Sequence, residues 1–281
     1  MQVRRLPLAT LALAGALALG GCGSSGDGGV GRLVRTGPST SSHGAAKVLT
    51  PAQAADAVIS LDDLGSGFQV DPDKSNHDDT DLGCLADLDK VTKPQHGGAG
   101  PEKPATKHDA QYKAATQAGM PFVMSSVDSM RSAGGIQREL SLVAKALRSC
   151  HTVDTTDGSG LHARLTITTD RKLSTGADDQ VNMTAAGQMS LPAPTGQTIT
   201  VPFYMRISLA RVGNDVALIG YGSMVEPAEG TEDAQGLITF AVARLRAVAS
   251  GTAVPTAPDF GLRRITTADV LKGLSSGGGT V

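Results

Sequence analysis

The sequence predicts an α+β domain, in which helices pack on a central antiparallel sheet and one disulfide links two segments. Three observations lead to this prediction. Strand-like segments cluster at 161–170, 180–189 and 198–212 and are joined by short turns. Segments with helical spacing of apolar residues precede and follow that cluster. The chain has three cysteines, of which one ends an apolar leader, so an even number is left for pairing.

The leader predicts export and lipidation. Two arginines precede an apolar stretch that ends at Leu19 and is shorter than a membrane-spanning helix requires. The sequence Leu19-Gly20-Gly21-Cys22 resembles a bacterial lipobox. We therefore expect residues 1–21 to be a lipoprotein signal peptide and Cys22 to carry a diacylglyceryl group, whose two acyl chains anchor stably. The alternative is an ordinary cleaved signal peptide with an incidental cysteine.

Composition divides the rest of the chain. Residues 22–48 begin with the lipidated Cys and are otherwise rich in Gly and Ser, which predicts a flexible linker. Residues 49–250 predict a single folded domain, because their length is enough for one sizeable core. Residues 251–281 return to Pro, Gly and Ser and predict a flexible C-terminal tail.

The first element of the domain is a predicted helix. Thr50 is a favourable N-cap and Pro51 occupies the first helical position. Val58 and Leu61 continue the apolar face, and we expect Gly65 to end the helix. Residues 71–107 then form a long polar excursion that contains Cys84.

The next elements alternate between strands and helices. Residues 121–130 predict a strand, and Ser132 caps a predicted helix that ends at Cys150. The strand cluster follows, and Gly213-Asn214-Asp215 predicts a hairpin turn. Thr231 opens a last helix, whose apolar face comprises Leu237, Ile238, Ala241, Leu245 and Val248.

The two remaining cysteines, Cys84 and Cys150, predict one disulfide because the chain is expected to be exported. The alternative is two free buried thiols. A metal site is a weaker interpretation, since no segment has CxxC or HExxH spacing, and we expect neither a metal nor a cofactor.

Charge and aromatic content exclude some partners. The formal net charge is −2, so no basic field is available for nucleic acid. Aromatic residues make up 3% of the chain and Trp is absent. Sugar sites and single-stranded nucleic-acid sites stack their ligands on aromatic rings, so neither is expected.

The order of these elements resembles the PknH-like extracellular sensor domain family, which includes the outer domains of some actinobacterial Ser/Thr kinases and small lipoproteins. Gly83-Cys84, the strand-helix unit 122–150, the hairpin 211–223 and the helix 231–248 carry the resemblance. It implies a central antiparallel sheet with a cleft and ligand sensing. The kinase domains have two disulfides, and many members have a Trp before the second cysteine, where this chain has Leu147.

The acidic segment 71–81 is the first candidate for chemistry. Asp71, Asp73 and Ser75 match positions 1, 3 and 5 of a calcium-binding EF-hand loop. Asn76 and Leu82 stand where that loop needs Gly and a bidentate Glu. A solvated acidic loop is therefore the preferred interpretation, and weak calcium binding is the alternative.

His151 and His162, with Asp154 and Asp157, are the candidates for catalysis. No Ser in a GxSxG turn completes a triad, so an envelope hydrolase is only an alternative. The glycines at 97–100 and 275–279 lack the strand and helix context of a phosphate-binding loop.

Apolar side chains in the predicted strands offer a different site. We interpret them as core, and the alternative is the lining of an apolar pocket. They are Met183, Met189, Phe203, Met205 and Tyr221.

Together these observations predict an extracytoplasmic lipoprotein, anchored to the cell membrane through Cys22, with a non-catalytic ligand-binding or sensor-like domain. The alternatives are a carrier of lipids or apolar small molecules in the cell envelope, and an envelope hydrolase. The partner is a small molecule or an envelope protein that the sequence does not identify.

Overall fold

The computed structural model describes residues 47–72, 84, 103–116, 119–156, 160–192, 198–224 and 227–262. Its helices are α1 (Pro51–Ala57), α2 (Ala133–Arg148) and α3 (Pro227–Ser250). Its strands are β1 (Phe68–Val70), β2 (Thr106–Ala114), β3 (Phe122–Ser129), β4 (Thr152–Thr156), β5 (His162–Asp170), β6 (Asp179–Pro192), β7 (Thr198–Val212) and β8 (Asp215–Ser223).

All eight strands form one antiparallel sheet in the order β1-β2-β3-β8-β7-β6-β5-β4. The β7–β8 hairpin lies at the centre, and its turn at Gly213 has a positive φ of 64° that favours glycine. The predicted fold class is confirmed.

Helices cover both faces of the sheet, and alternate residues of β3 show this arrangement. Phe122 and Met124 belong to an apolar cluster with α2. Val123 and Val127 point to the opposite face, where α3 and α1 pack. Since each strand alternates in this way, a central strand such as β7 buries side chains on both faces.

Two glycines of β8 allow large side chains of β3 to lie close to the sheet under α2. A Cβ atom at Gly222 would lie 2.1 Å from Cε1 of Phe122. A Cβ atom at Gly220 would lie 2.3 Å from Cε of Met124. The core on the α2 face therefore depends on the absence of a side chain at both positions.

The first helix is shorter than predicted. α1 has the expected capping box at Thr50, but it ends at Ala57 instead of continuing to Gly65. Ser60 then donates from its amide and its hydroxyl to Asp63 Oδ2, at 2.7 and 2.6 Å, and a 3-10 turn follows. This local Ser–Asp bonding competes with helical hydrogen bonds and explains the early end.

The last helix starts earlier than predicted, at Pro227 and not at Thr231. Its predicted apolar face is buried against β7 and β8. Residues 251–262 continue without helix or strand, and the ring of Phe260 meets that of Phe240 edge-on, with centroids 5.5 Å apart.

Three strands were missed in the sequence. β2 begins at the end of the expected polar excursion. It was missed because only Tyr112 and Ala114 of its nine residues are buried. β1 has three residues, and β4 is a polar edge strand with Val153 as its one fully buried residue.

Candidate functional site

The predicted disulfide is present. Cys84 and Cys150 are bonded with an S–S distance of 2.00 Å and a Cα–Cα distance of 5.2 Å. Cys150 follows α2 and is 1% exposed, and Cys84 packs against the same apolar cluster as α2. The alternative of two free thiols is therefore wrong. Cys22, the predicted lipidation site, lies outside the described residues.

Most of the acidic segment 71–81 also lies outside the described residues. Its first residue, Asp71, is 7% exposed and accepts a hydrogen bond from Lys113 Nζ at 2.7 Å. This ion pair fixes the chain after β1. Within the described part of the protein, no group of three or more His, Cys, Asp or Glu side chains is placed to hold a metal ion.

Of the candidate catalytic residues, His162 and Asp154 are brought together. Nε2 of His162 lies 2.7 Å from Oδ1 of Asp154, on neighbouring strands at an edge of the sheet. Both side chains are exposed, at 41% and 54%, and His151 is exposed as well. Asp157 lies outside the described residues. An exposed His–Asp pair on an edge strand provides no enclosed site for a reaction.

The predicted strand side chains divide between the two faces. Met183, Met189, Phe203 and Met205 are at most 4% exposed and pack with α2 in one cluster. Tyr221 belongs to the other face, under α3. These five side chains therefore do not line a common pocket.

A buried polar network lies on the α3 face, where β6 and β7 meet. Asn182 Oδ1 accepts hydrogen bonds from Ser208 Oγ at 2.6 Å and from Gln180 Nε2 at 2.7 Å. Asn182 Nδ2 donates to Asp170 Oδ1 at 2.6 Å and to the Lys172 carbonyl. Because Asn182 is 1% exposed and fully hydrogen-bonded, it is a structural residue of the core.

Two carboxyl groups on the α2 face have raised pKa values. Burial raises the pKa of Asp128, on β3, to about 6, and Lys107 on β2 partly opposes this. Burial also raises the pKa of Glu139, on α2, to about 7, and the charge of Asp128 adds to the effect. Oδ1 of Asp128 is buried without a hydrogen-bond partner. No sequence pattern predicted this pair, since its two members lie on different elements, β3 and α2, and come together only when the helix packs on the sheet.

Two further side chains of β7, on the same face as the buried network, each have a buried polar atom without a hydrogen-bond partner. Arg206 is 7% exposed, and its Nη2 donates to Gln235 Oε1 of α3 at 3.1 Å. Nε of Arg206 and the hydroxyl of Tyr204 are both buried without a hydrogen-bond partner. Tyr204 is 1% exposed, and its ring lies near that of Tyr221, with centroids 6.4 Å apart. We define Tyr204, Arg206, Tyr221 and Gln235 as the Arg206 site.

The sequence carried one signal for the Arg206 site. Arg206 interrupts the apolar segment 198–212 at a position that faces a helix, where a charge is unexpected. An arginine in a strand is unusual only if its side chain is buried. The structure shows that it is, because β7 is a central strand and helices cover both faces of the sheet.

None of the helices in the described ranges is both long and apolar enough to cross a membrane.

Comparisons with known proteins give a structural likeness and no sequence match. No protein-family model matches the chain, and no curated protein matches it. The fold is similar to the crystal structure of the extracellular domain of PknH from Mycobacterium tuberculosis, with a TM-score of 0.47 and 10% sequence identity. That match covers 73% of this chain and 99% of the other. Membership of the PknH-like family stays a prediction.

Proposed function

We propose that this chain is an extracytoplasmic lipoprotein, anchored to the cell membrane through Cys22, with a non-catalytic domain that binds a ligand. The observation that supports the location is the bond between Cys84 and Cys150. Structural disulfides persist in oxidising compartments and are rare in the cytosol. The apolar leader and its Leu19-Gly20-Gly21-Cys22 sequence supply the route to that compartment.

The ligand-binding part of the proposal is supported by the Arg206 site. A buried guanidinium with one neutral partner is costly to the folded state, because its charge is taken from water without compensation. Buried polar atoms without a hydrogen-bond partner are rare in folded proteins, and a binding role accounts for them here. By contrast, the exposed pair His162–Asp154 gives the hydrolase alternative little support.

Membrane fractionation of bacteria that express the full chain tests the anchor. We expect the wild-type protein in the membrane fraction, with Cys22 carrying the mass of a diacylglyceryl group. The Cys22→Ala variant should appear in the soluble fraction. Cys84→Ser is the matched control, because it removes a different cysteine and leaves the anchor in place. A Cys22→Ala protein that stays with the membrane contradicts the proposed anchor.

A further inference from the structure

We propose that the Arg206 site binds the carboxylate of an apolar acid between β7 and α3. This inference rests on the ligand-binding role proposed above and gives it a place and a chemical class. Its basis is a pair of buried donors without acceptors, Arg206 Nε and the Tyr204 hydroxyl.

The first step concerns charge. Arg206 lies on a central strand and is covered by α3, with 7% of its surface exposed. Among the described residues no carboxylate lies within ion-pair distance of it, and its side chain donates a hydrogen bond to the neutral amide of Gln235. Guanidinium groups remain protonated at all physiological pH values. An anion is therefore the group that this position lacks.

The second step concerns the arrangement of the donors. Residues 204 and 206 are two apart on β7, so both side chains point to the α3 face, with Cα atoms about 7 Å apart. A carboxylate has two oxygens, so it offers one acceptor to each of these donors. Charge-assisted hydrogen bonds of this kind are about twice as strong as neutral ones.

The third step concerns the rest of the ligand. The surroundings of Tyr204 are apolar, because its ring belongs to a buried cluster with Tyr221 of β8 and with Ala234, Leu237 and Ile238 of α3. A phosphate or a sugar acid would leave further polar atoms without partners in such surroundings. An apolar carboxylic acid places its carboxylate on the donors and its body against the rings.

Thermal unfolding of the full chain tests the proposal, with sodium cyclohexanecarboxylate as the probe. This anion does not absorb where tyrosine does, and the chain has three Tyr and no Trp, so tyrosine fluorescence reports binding as well. We expect the acid to raise the Tm of the wild-type protein and to change its tyrosine emission. Acetate and phosphate at equal ionic strength should produce smaller shifts.

Two variants assign the effect to the site. Arg206→Met removes the charge and keeps the length, and we expect binding about tenfold to hundredfold weaker. Without acid its Tm should equal or exceed that of the wild type, since a buried charge is lost. Tyr204→Phe removes an unpartnered hydroxyl, so its Tm without acid should not fall, while its affinity should fall several-fold. Arg164→Met, on an exposed arginine of β5, is the matched control.

Three results would overturn the proposal. In the first, cyclohexanecarboxylate leaves the Tm of the wild type unchanged. In the second, it raises the Tm of Arg206→Met as much as that of the wild type. In the third, phosphate raises the Tm of the wild type as much as cyclohexanecarboxylate does. The anchor is measured separately by fractionation, so an anchored protein that ignores the acid contradicts the site alone.

Discussion

Replacing Asp128 by Asn should stabilise the protein at alkaline pH and make its stability less dependent on pH. Burial raises the pKa of Asp128 from 3.8 to about 6, which means that the fold disfavours the ionised form. The difference corresponds to about 3 kcal/mol when the group is fully ionised. Asp128 is partly exposed and lies opposite Lys107, so water and the lysine reduce this cost. We therefore expect the Asp128→Asn variant to gain about 1–2 kcal/mol in its free energy of unfolding.

The sign of the pH dependence follows from linkage. The unfolded chain ionises Asp128 near pH 4 and the folded protein ionises it near pH 6. Wild-type stability contributed by this group is therefore greatest below pH 4 and is lost as the pH rises through 6. The Asn variant lacks this loss. The free energy of unfolding of this variant should exceed that of the wild type most at pH 8, and the difference should vanish near pH 4.

Thermal unfolding by circular dichroism between pH 4 and pH 8 measures the effect. For a domain of this size, 1–2 kcal/mol corresponds to a rise in Tm of about 2–8 °C at pH 8. Asp62→Asn, at an exposed aspartate, is the control for the change in net charge. The pKa of Glu139, followed by carboxyl NMR, should fall from about 7 because one of its causes is removed. A Tm at pH 8 that is equal to or lower than that of the wild type would refute the reasoning.

Three further predictions concern stability. Cys84→Ser should lower the free energy of unfolding by about 4 kcal/mol, because the bond closes a loop with a sequence separation of 66, and the loss should disappear in reductant. Gly222→Ala should cost about 1–3 kcal/mol in chemical denaturation, since its Cβ would meet the Phe122 ring, whereas Gly134→Ala, with open space around it, should stabilise by about 0.5–1 kcal/mol. Asn182→Ala should cost about 2–4 kcal/mol because it leaves several buried groups unpaired; a Tm within 2 °C of the wild type in that variant would show that water replaces the network.

The strongest patterns in the sequence predicted the centre of the fold. Residues 198–212 form β7 with the predicted bounds, because every second side chain from Ile199 to Leu209 is apolar and the Gly213 turn fixes the register with β8. The helix that ends before Cys150 also matches, with its cap at Ser132. Periodicity predicts elements well where they are long and bury a whole face.

Strands at the edges of the sheet or next to them were missed for a physical reason. β2 and β4 expose most of their side chains, and hydrogen bonds to their neighbours give them strand structure despite polar sequences. The candidate sites show the same limit of sequence patterns, which do not contain the effect of neighbouring elements. Cysteine counting identified the disulfide, whereas the isolation of Arg206 arises from which strands and helices surround it, and single-sequence patterns do not contain that information.

The disulfide gives the sheet a second kind of connectivity. By hydrogen bonds the sheet is open, with β1 and β4 as its free edges. Cys84 lies in the chain between β1 and β2, and its Sγ lies 3.3 Å from the carbonyl oxygen of Thr152, where β4 begins. The disulfide to Cys150 therefore ties the segment that follows one edge strand to the start of the other edge strand. A single cut of the backbone between the two cysteines does not release a fragment, because the disulfide still joins the two pieces.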